Sequence, residues 1–464
     1  MVQKDAKFPE LYALERIFLE ELLSLLRSRF GDPPQWPTSD FFDIQYNERS
    51  AQYRSFSNPA ARRANVALAL YSIWRSEVVS LGSLEPLMRE LRSLVEAKKI
   101  YAAFLDTSFL IPFVNQYLTL SQRCTFDEGL FEKVYKIGEE FLTKQTVTGK
   151  LYMELMGLRA DIDELVLSPQ HRILRLDEGA ARHIWILATS GEFPQSVLFR
   201  PAAPAPIPGD MVLEATFQVD SSKLNEAPLV RYRESIACAL ALRLCEPGGG
   251  RIEPMAEEYE PLVPSYARQQ PVRGSTSGAF LYTIDTHLAS RLGQYWSASY
   301  AFASEIVRDE TTLPIPLKIA GKRFAGSIGK WGHEDKLIDY VIAEEALLGK
   351  DNEAIAYRIP LRLATLIGNN PDERVRIFNI AKKSYESRSR LVHGSGQAGS
   401  GVKVNGSQIP WADFLLEVEG YLIRCIRIFM KARDGSINKD AVLGMIDRAI
   451  VSQDRTELEG RPCQ

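Results

Sequence analysis

The chain has 464 residues, of which 45% are hydrophobic and 25% charged, and its formal net charge is −3. That length allows two or three domains with their own cores, and the composition is that of an ordinary globular protein. It excludes a generally basic nucleic-acid binder, a disordered chain and a disulfide scaffold, so any contact with nucleic acid must come from a local basic patch.

The opening M-V-Q-K-D-A-K-F carries charges where a signal peptide needs an apolar core, and no apolar run reaches the length of a membrane span. Five scattered cysteines (Cys124, Cys238, Cys245, Cys425, Cys463) lack any C-x-x-C spacing and point to thiols in a reducing compartment. A cytoplasmic location is expected. Residues 8–30 read as an amphipathic helix, with Leu11, Leu14, Ile17, Phe18, Leu22, Leu25 and Leu26 at helical spacing, ended by Gly31–Pro37. Further helical pattern at about 60–80, 84–98 and 127–143 predicts a helical N-terminal domain over 1–200, with no motif attached to chemistry.

Four prolines within Pro201–Pro208 mark a domain boundary. Beyond it, Met211–Val219 reads as a strand and Leu229–Cys245 as a helix. Gly248–Gly250 reads as a turn and Arg251–Arg273 as irregular or extended chain. Residues 209–325 are therefore expected to form a mixed α/β segment. Asp335–Leu348 is again helical, with Leu337, Ile338, Val341, Ile342 and Leu347 among its apolar residues. Asn352–Ile367 is a second helix of this region, with Pro360 either kinking it or starting its main part. Asn370-Pro371-Asp372-Glu373 sets a cap, a first-turn proline and two acids, so a third helix should run to His393 and stop at Gly394.

Residues 394–408, rich in glycine and serine, read as a flexible loop. Pro410 opens a fourth helix with Trp411, Phe414, Leu415, Val418, Leu422, Cys425 and Phe429 in one stripe. A short fifth helix covers about 439–451. The fold class is therefore mainly α, with an antiparallel four-helix bundle over 326–455.

The stretch most suggestive of chemistry is S-Y-E-S-R-S-R-L-V-H-G, Ser384–Gly394, which sets Arg388 and His393 in an Arg-x4-His pair. The imidazole can move a proton near neutral pH and the guanidinium can hold a phosphate bidentately. Such a pair suits RNA phosphodiester cleavage without a metal, although alone it is an unspecific pattern. Five residues on an ideal helix turn through about 140°, so the two side chains diverge unless the helix end loosens or two chains build one site. Lys382, Lys383, Arg388 and Arg390 against Glu386 make the stretch locally basic, either an RNA-tracking face or a solvated one. No His, Cys or carboxylate group has convincing metal spacing.

The region Leu313–Val451 resembles the HEPN superfamily, in its ApeA-like HEPN branch. H-E-D-K-L-I-D-Y-V-I-A-E-E-A-L-L (His333–Leu348) is similar to the family's opening helix, with Glu345 at the place of its usual glutamate. R-I-P-L-R-L-A-T-L-I-G (Arg358–Gly368) is similar to its second helix, from which Pro360 departs. Y-E-S-R-S-R-L-V-H-G (Tyr385–Gly394) matches its Arg-polar-x3-His signature, including the polar Ser389. The resemblance covers under a third of the chain.

It implies a metal-independent endoribonuclease, needing no cofactor, whose composite site is made by two copies of the motif in a homodimer through the C-terminal bundle. His393 would be the general acid/base and Arg388 the phosphate clamp. Lys382, Lys383, Ser389 and Arg390 would contact RNA, possible targets including tRNA. Glu345 either orients Arg388 or is an ordinary helix glutamate. Tyr385 either stacks on a base or packs with Phe378 and Val392 in the core. The family's associations are anti-phage defence, abortive infection and growth-arresting toxins, with residues 1–325 left to sense a phage-derived trigger or restrain the nuclease. The competing expectation is a non-catalytic HEPN module that binds RNA or a protein.

Overall fold

A computed structural model describes residues 6–452 except 36–37, 40–42, 48–49, 55–62, 65–69, 71–72, 75, 98–109, 157, 161, 178, 182–183, 185–209, 221–226, 249–250, 261–281, 310–311, 329, 331, 351–353 and 394–400. The described chain is mainly helical with a small antiparallel sheet. It divides into two units. The first comprises Met1–Glu154, Gln170–Arg231 and Pro254–Pro271; the second comprises Leu155–Pro169, Tyr232–Glu253 and Val272–Gln464. The proline run Pro201–Pro208 lies outside the described residues.

In the first unit, helix α1 (Pro9–Phe30) starts with proline at its first turn and ends at Gly31. Its buried face is Leu11, Glu15, Phe18, Leu22 and Leu26, a 3.6-residue series, with Leu19 and Leu23 beside it. Ile17, expected in the apolar stripe, falls off that series and is exposed. Glu15 occupies the inner position instead, and burial, reinforced by Glu139, pushes its carboxyl up to about 8.

Short strands follow: β1 (Thr38–Ser39), β2 (Asp43–Asn47), β3 (Ser50–Arg54) and β4 (Arg63–Ala64), with β1 antiparallel to β4 and β2 to β3. Within the stretch read as helical over about 60–80, Arg63–Ala64 is a strand and Val78–Ser80 a 3₁₀ turn, while the described residues between them, Leu70, Ile73 and Trp74, are helical. Helices α2 (Leu84–Ala97), α3 (Leu110–Ser121) and α4 (Glu128–Thr143) complete the unit's helical part. Asp127 caps α4 by accepting from the Leu130 amide at 2.8 Å. Tyr12 of α1 meets Phe131 and Tyr135 of α4 edge to face, with ring centroids 5.0 and 4.9 Å apart.

Next come β5 (Thr146–Met156), β6 (Leu158–Ala160), β7 (Glu164–Ser168), β8 (His171–Arg175) and β9 (Met211–Asp220). Strand β9 pairs antiparallel with both β5 and β8, in a register that sets Leu151 opposite Ala215 and Ile173 opposite Leu213. Gly149 faces Phe217 across the β5–β9 pair, and a Cβ there would lie 2.5 Å from the ring, so only glycine admits the aromatic at that point.

Helix α5 (Ala227–Cys245), β10 (Arg251–Glu260) and β11 (Tyr282–Ile284) precede the helical series of the second unit. The extended reading of the chain after Gly250 thus corresponds to β10 as far as Glu260, and residues 261–281 lie outside the described set. The series is α6 (Thr286–Arg308), α7 (Ile315–Ile328), α8 (His333–Leu348), α9 (Ile355–Ile367), α10 (Pro371–Val392), α11 (Trp411–Asp434) and α12 (Lys439–Ser452). Each of α8, α9, α10 and α11 packs on the other three, around Leu337, Leu363, Ile377, Phe414 and Leu422.

Pro360 neither starts nor ends α9. It lies buried inside the helix, as its sixth residue. Residues 401–408, within the expected flexible loop, belong instead to a hairpin of β12 (Gly401–Val404) and β13 (Ser407–Pro410). Its turn residues Asn405 and Gly406 have φ of 49° and 86°, the left-handed values a tight two-residue hairpin needs.

A buried polar network ties α5, α8 and α11 together. Arg243 donates from Nε to Glu419 Oε1 at 2.8 Å and from Nη2 to the Tyr340 hydroxyl at 2.7 Å. That hydroxyl donates to Glu419 Oε2 at 2.9 Å, and the Gly248 amide donates to Oε1 at 3.0 Å. Arg362 of α9 makes a second fork, donating to both carboxylate oxygens of Asp447 in α12 at 2.9 and 2.8 Å.

Candidate active site

Helix α10 starts with the residues that predict it, and Gly394, expected to stop it, lies outside the described residues. Asn370 accepts from the Glu373 amide at 2.9 Å, and Glu373 reaches back to accept from the Asn369 amide at 2.8 Å. Ile377, Ile380, Ala381, Ser384 and Ser387 form its buried face. Val392 is the last helical residue and His393 is the C-cap, with φ −88° and ψ 5° and its amide donating to the Ser389 carbonyl at 3.1 Å.

This geometry divides the predicted site residues. Arg388 is 26% exposed and lies beside Glu345 of α8, equally exposed, with Nη2 and Oε2 3.8 Å apart. That separation is an ion pair without a hydrogen bond. Its Nε is buried with no hydrogen-bond partner among the described residues. His393 is exposed at the helix end. Lys383 pairs with Glu386 at 3.2 Å, while Lys382 and Arg390 are exposed and Ser389 is half-buried. Tyr385 and Phe378 are half-buried and Val392 is 54% exposed, so these three do not form a core stripe. Phe378 instead meets Tyr357 of α9, with ring centroids 5.5 Å apart.

One neighbouring residue went unread in the sequence. Glu344, one position before Glu345, is 2% exposed and its Oε1 lacks a hydrogen-bond partner among the described residues. Burial, with the Glu345 charge adding to it, pushes its carboxyl up to about 8, so it is neutral at pH 7. The signal was present: Leu337, Val341, Glu344 and Leu348 recur at spacings of four and three along the buried face.

An acid raised above its ordinary 4.5 keeps its proton in the folded chain where the unfolded chain has lost it. Folding then takes up a proton, and this group's stabilisation is lost as pH rises from about 4.5 through about 8. Glu344→Gln should therefore raise the melting midpoint at pH 8.5 and leave it nearly unchanged at pH 4.5, with about 2–4 °C for each kcal/mol gained. Equal gains at both pH values in scanning calorimetry would contradict the buried neutral acid.

A scan of the chain against protein-family models, curated proteins and solved structures finds no match. No described helix is long and apolar enough to cross a membrane.

Proposed function

We propose that the protein is a metal-independent endoribonuclease of HEPN type, in which Arg388 and His393 act on the scissile phosphate. The observation that carries this reading is the ion pair between Arg388 and Glu345, which brings the motif's arginine to the glutamate of the helix that the resemblance pairs with it. Arg388 holds two phosphate oxygens and stabilises the charge that develops on them. Arg390, Lys382, Lys383 and Ser389 follow the adjoining backbone.

His393 serves as acid or base. One imidazole takes the proton of the 2′-hydroxyl as that oxygen attacks phosphorus; an imidazolium gives a proton to the 5′-oxygen as its bond to phosphorus breaks. Two imidazoles are needed at once, and two chains supply them. The divergence of Arg388 and His393 along one helix is then no obstacle, because each chain contributes to a shared site in a homodimer. The products are a 2′,3′-cyclic phosphate, opening to a 3′-phosphate, and a 5′-hydroxyl.

A cytoplasmic role in anti-phage defence or growth arrest fits such an activity, with the first 325 residues as trigger sensor or restraint. The test is incubation of the purified protein with total tRNA in EDTA, alongside light scattering to establish the dimer. Cut tRNA from a dimeric protein is the expected result. Bound but uncut RNA would replace the enzyme with a binding module.

A further inference from the structure

The second unit holds another cationic feature, remote from the motif. A cavity of about 480 Å³ opens between the end of α5, the first turns of α6 and the middle of α11. Its polar wall is His287, Arg291, Arg424 and Arg427, and Tyr295 and Tyr421 give it aromatic surface. Glu417, also on the wall, faces Arg376 of α10, and Arg376 lies about 18 Å along that helix from Arg388.

The charges do not balance. Arg291 sits 2.6 Å from Glu246, Arg424 2.9 Å from Glu373, and Arg376 2.6 Å from Glu417, so three carboxylates answer three guanidiniums. Arg427 has no carboxylate within ion-pair distance among the described residues. Its Nη2 donates to the Cys245 carbonyl at 2.8 Å and to that of Leu244, and its Cζ lies 4.5 Å from the Tyr295 ring centre. Its Nε is buried with no hydrogen-bond partner among the described residues. Burial lowers its pKa from the ordinary arginine value, with the Arg291 charge adding to the effect.

The nearby Glu246 charge favours the charged form of Arg427 but is itself paired with Arg291, so a partly buried guanidinium without a carboxylate of its own suits an added anion on this concave wall. Phosphate is the anion that several guanidiniums match best. The cavity is far larger than one anion requires and lies in the range of small-molecule sites, and Tyr295, Tyr421, Pro247 and Ile423 offer a ring-sized apolar surface.

We propose that this cavity is a binding site for a small nucleotide, its phosphate held by Arg427 with Arg291 and Arg424 and its ring against the tyrosine-lined wall. Binding is a readout separate from RNA cleavage, so failure here and failure of the ribonuclease reading are distinguishable. The experiment is calorimetric titration of the full chain with the four ribonucleoside 5′-monophosphates, the matching nucleosides and inorganic phosphate. At least one monophosphate should bind, at least tenfold tighter than its nucleoside and than inorganic phosphate.

Arg427→Gln should weaken that binding at least tenfold. Because Arg427 also holds two carbonyls at the end of α5, a second variant, Gly420→Trp, fills the cavity while keeping every arginine. Beyond its own helix, the Gly420 Cβ position has only Pro247 within 4 Å among the described residues, its nearest atom at 3.4 Å, so a side chain can project there. It too should weaken binding at least tenfold. Absence of binding to every monophosphate would overturn the proposal. So would unchanged binding in Gly420→Trp, or inorganic phosphate binding as tightly as the best nucleotide.

Discussion

His393→Ala is expected to lower RNA cleavage by about 10²–10⁴-fold, the usual contribution of a positioned general acid or base. Arg388→Ala is expected to cost about 10²–10³-fold, as for removal of a group that stabilises charge in the transition state. Both losses should appear without unfolding. His393 is exposed, and Arg388 is held to Glu345 by a 3.8 Å ion pair whose deletion costs at most about 1 kcal/mol at such a half-open position. Arg388→Lys separates charge from shape. An ammonium keeps the charge but cannot fork two phosphate oxygens, so most of the loss should remain. Initial rates on a single tRNA, with melting curves run on the same preparations, check all three variants. Cleavage that survives in His393→Ala at the wild-type rate would remove the imidazole from the chemistry.

The largest effect on stability is expected in the network of Arg243, Tyr340 and Glu419. Arg243 and Glu419 are 8% and 4% exposed, and every carboxylate oxygen of Glu419 is answered by a donor. Glu419→Ala leaves the guanidinium buried without its anion, a loss of about 3–5 kcal/mol. Tyr340→Phe removes one donor and one acceptor at a charged pair and should cost about 1–3 kcal/mol. Arg243→Met combined with Glu419→Leu removes both charges together. It should recover most of what Glu419→Ala loses, since no unpaired ion remains. Urea unfolding of the three variants measures these differences. A double variant no more stable than Glu419→Ala would show that shape and hydrogen bonding, rather than the unpaired charge, set the cost.

The best-read part of the chain is the part with local punctuation. Asn370-Pro371-Asp372-Glu373 predicts the start of α10, and the side chains of Asn370 and Glu373 cap it as the types require. Pro410 before Trp411 likewise opens α11. The failures have physical causes. Pro360 lacks an amide hydrogen and reads either as a kink or as the start of a helix, and in α9 it sits inside the helix among buried neighbours, so only the second of these readings is set aside. Asn405-Gly406 is a hairpin signal that the surrounding glycine and serine run concealed.

Within the candidate site, Arg388 and His393 are visible as a spacing, whereas the sequence leaves Glu345 open between a partner of Arg388 and an ordinary helix glutamate. Glu344 was overlooked because a second glutamate beside Glu345 looks like solvent-facing charge. Only its place on the Leu337–Val341–Leu348 face betrays it. The cavity could not be read at all. Arg291 and Arg427 are separated by more than a hundred residues, and no periodicity relates residues on different helices.

Metal-independent cleavage of RNA by Arg388 and His393 is tested by end-group analysis of one tRNA incubated with wild-type protein in EDTA. Fragments ending in a 2′,3′-cyclic phosphate and beginning with a 5′-hydroxyl are expected. Fragments with 5′-phosphate ends, or intact tRNA from a dimeric and folded protein, would contradict it.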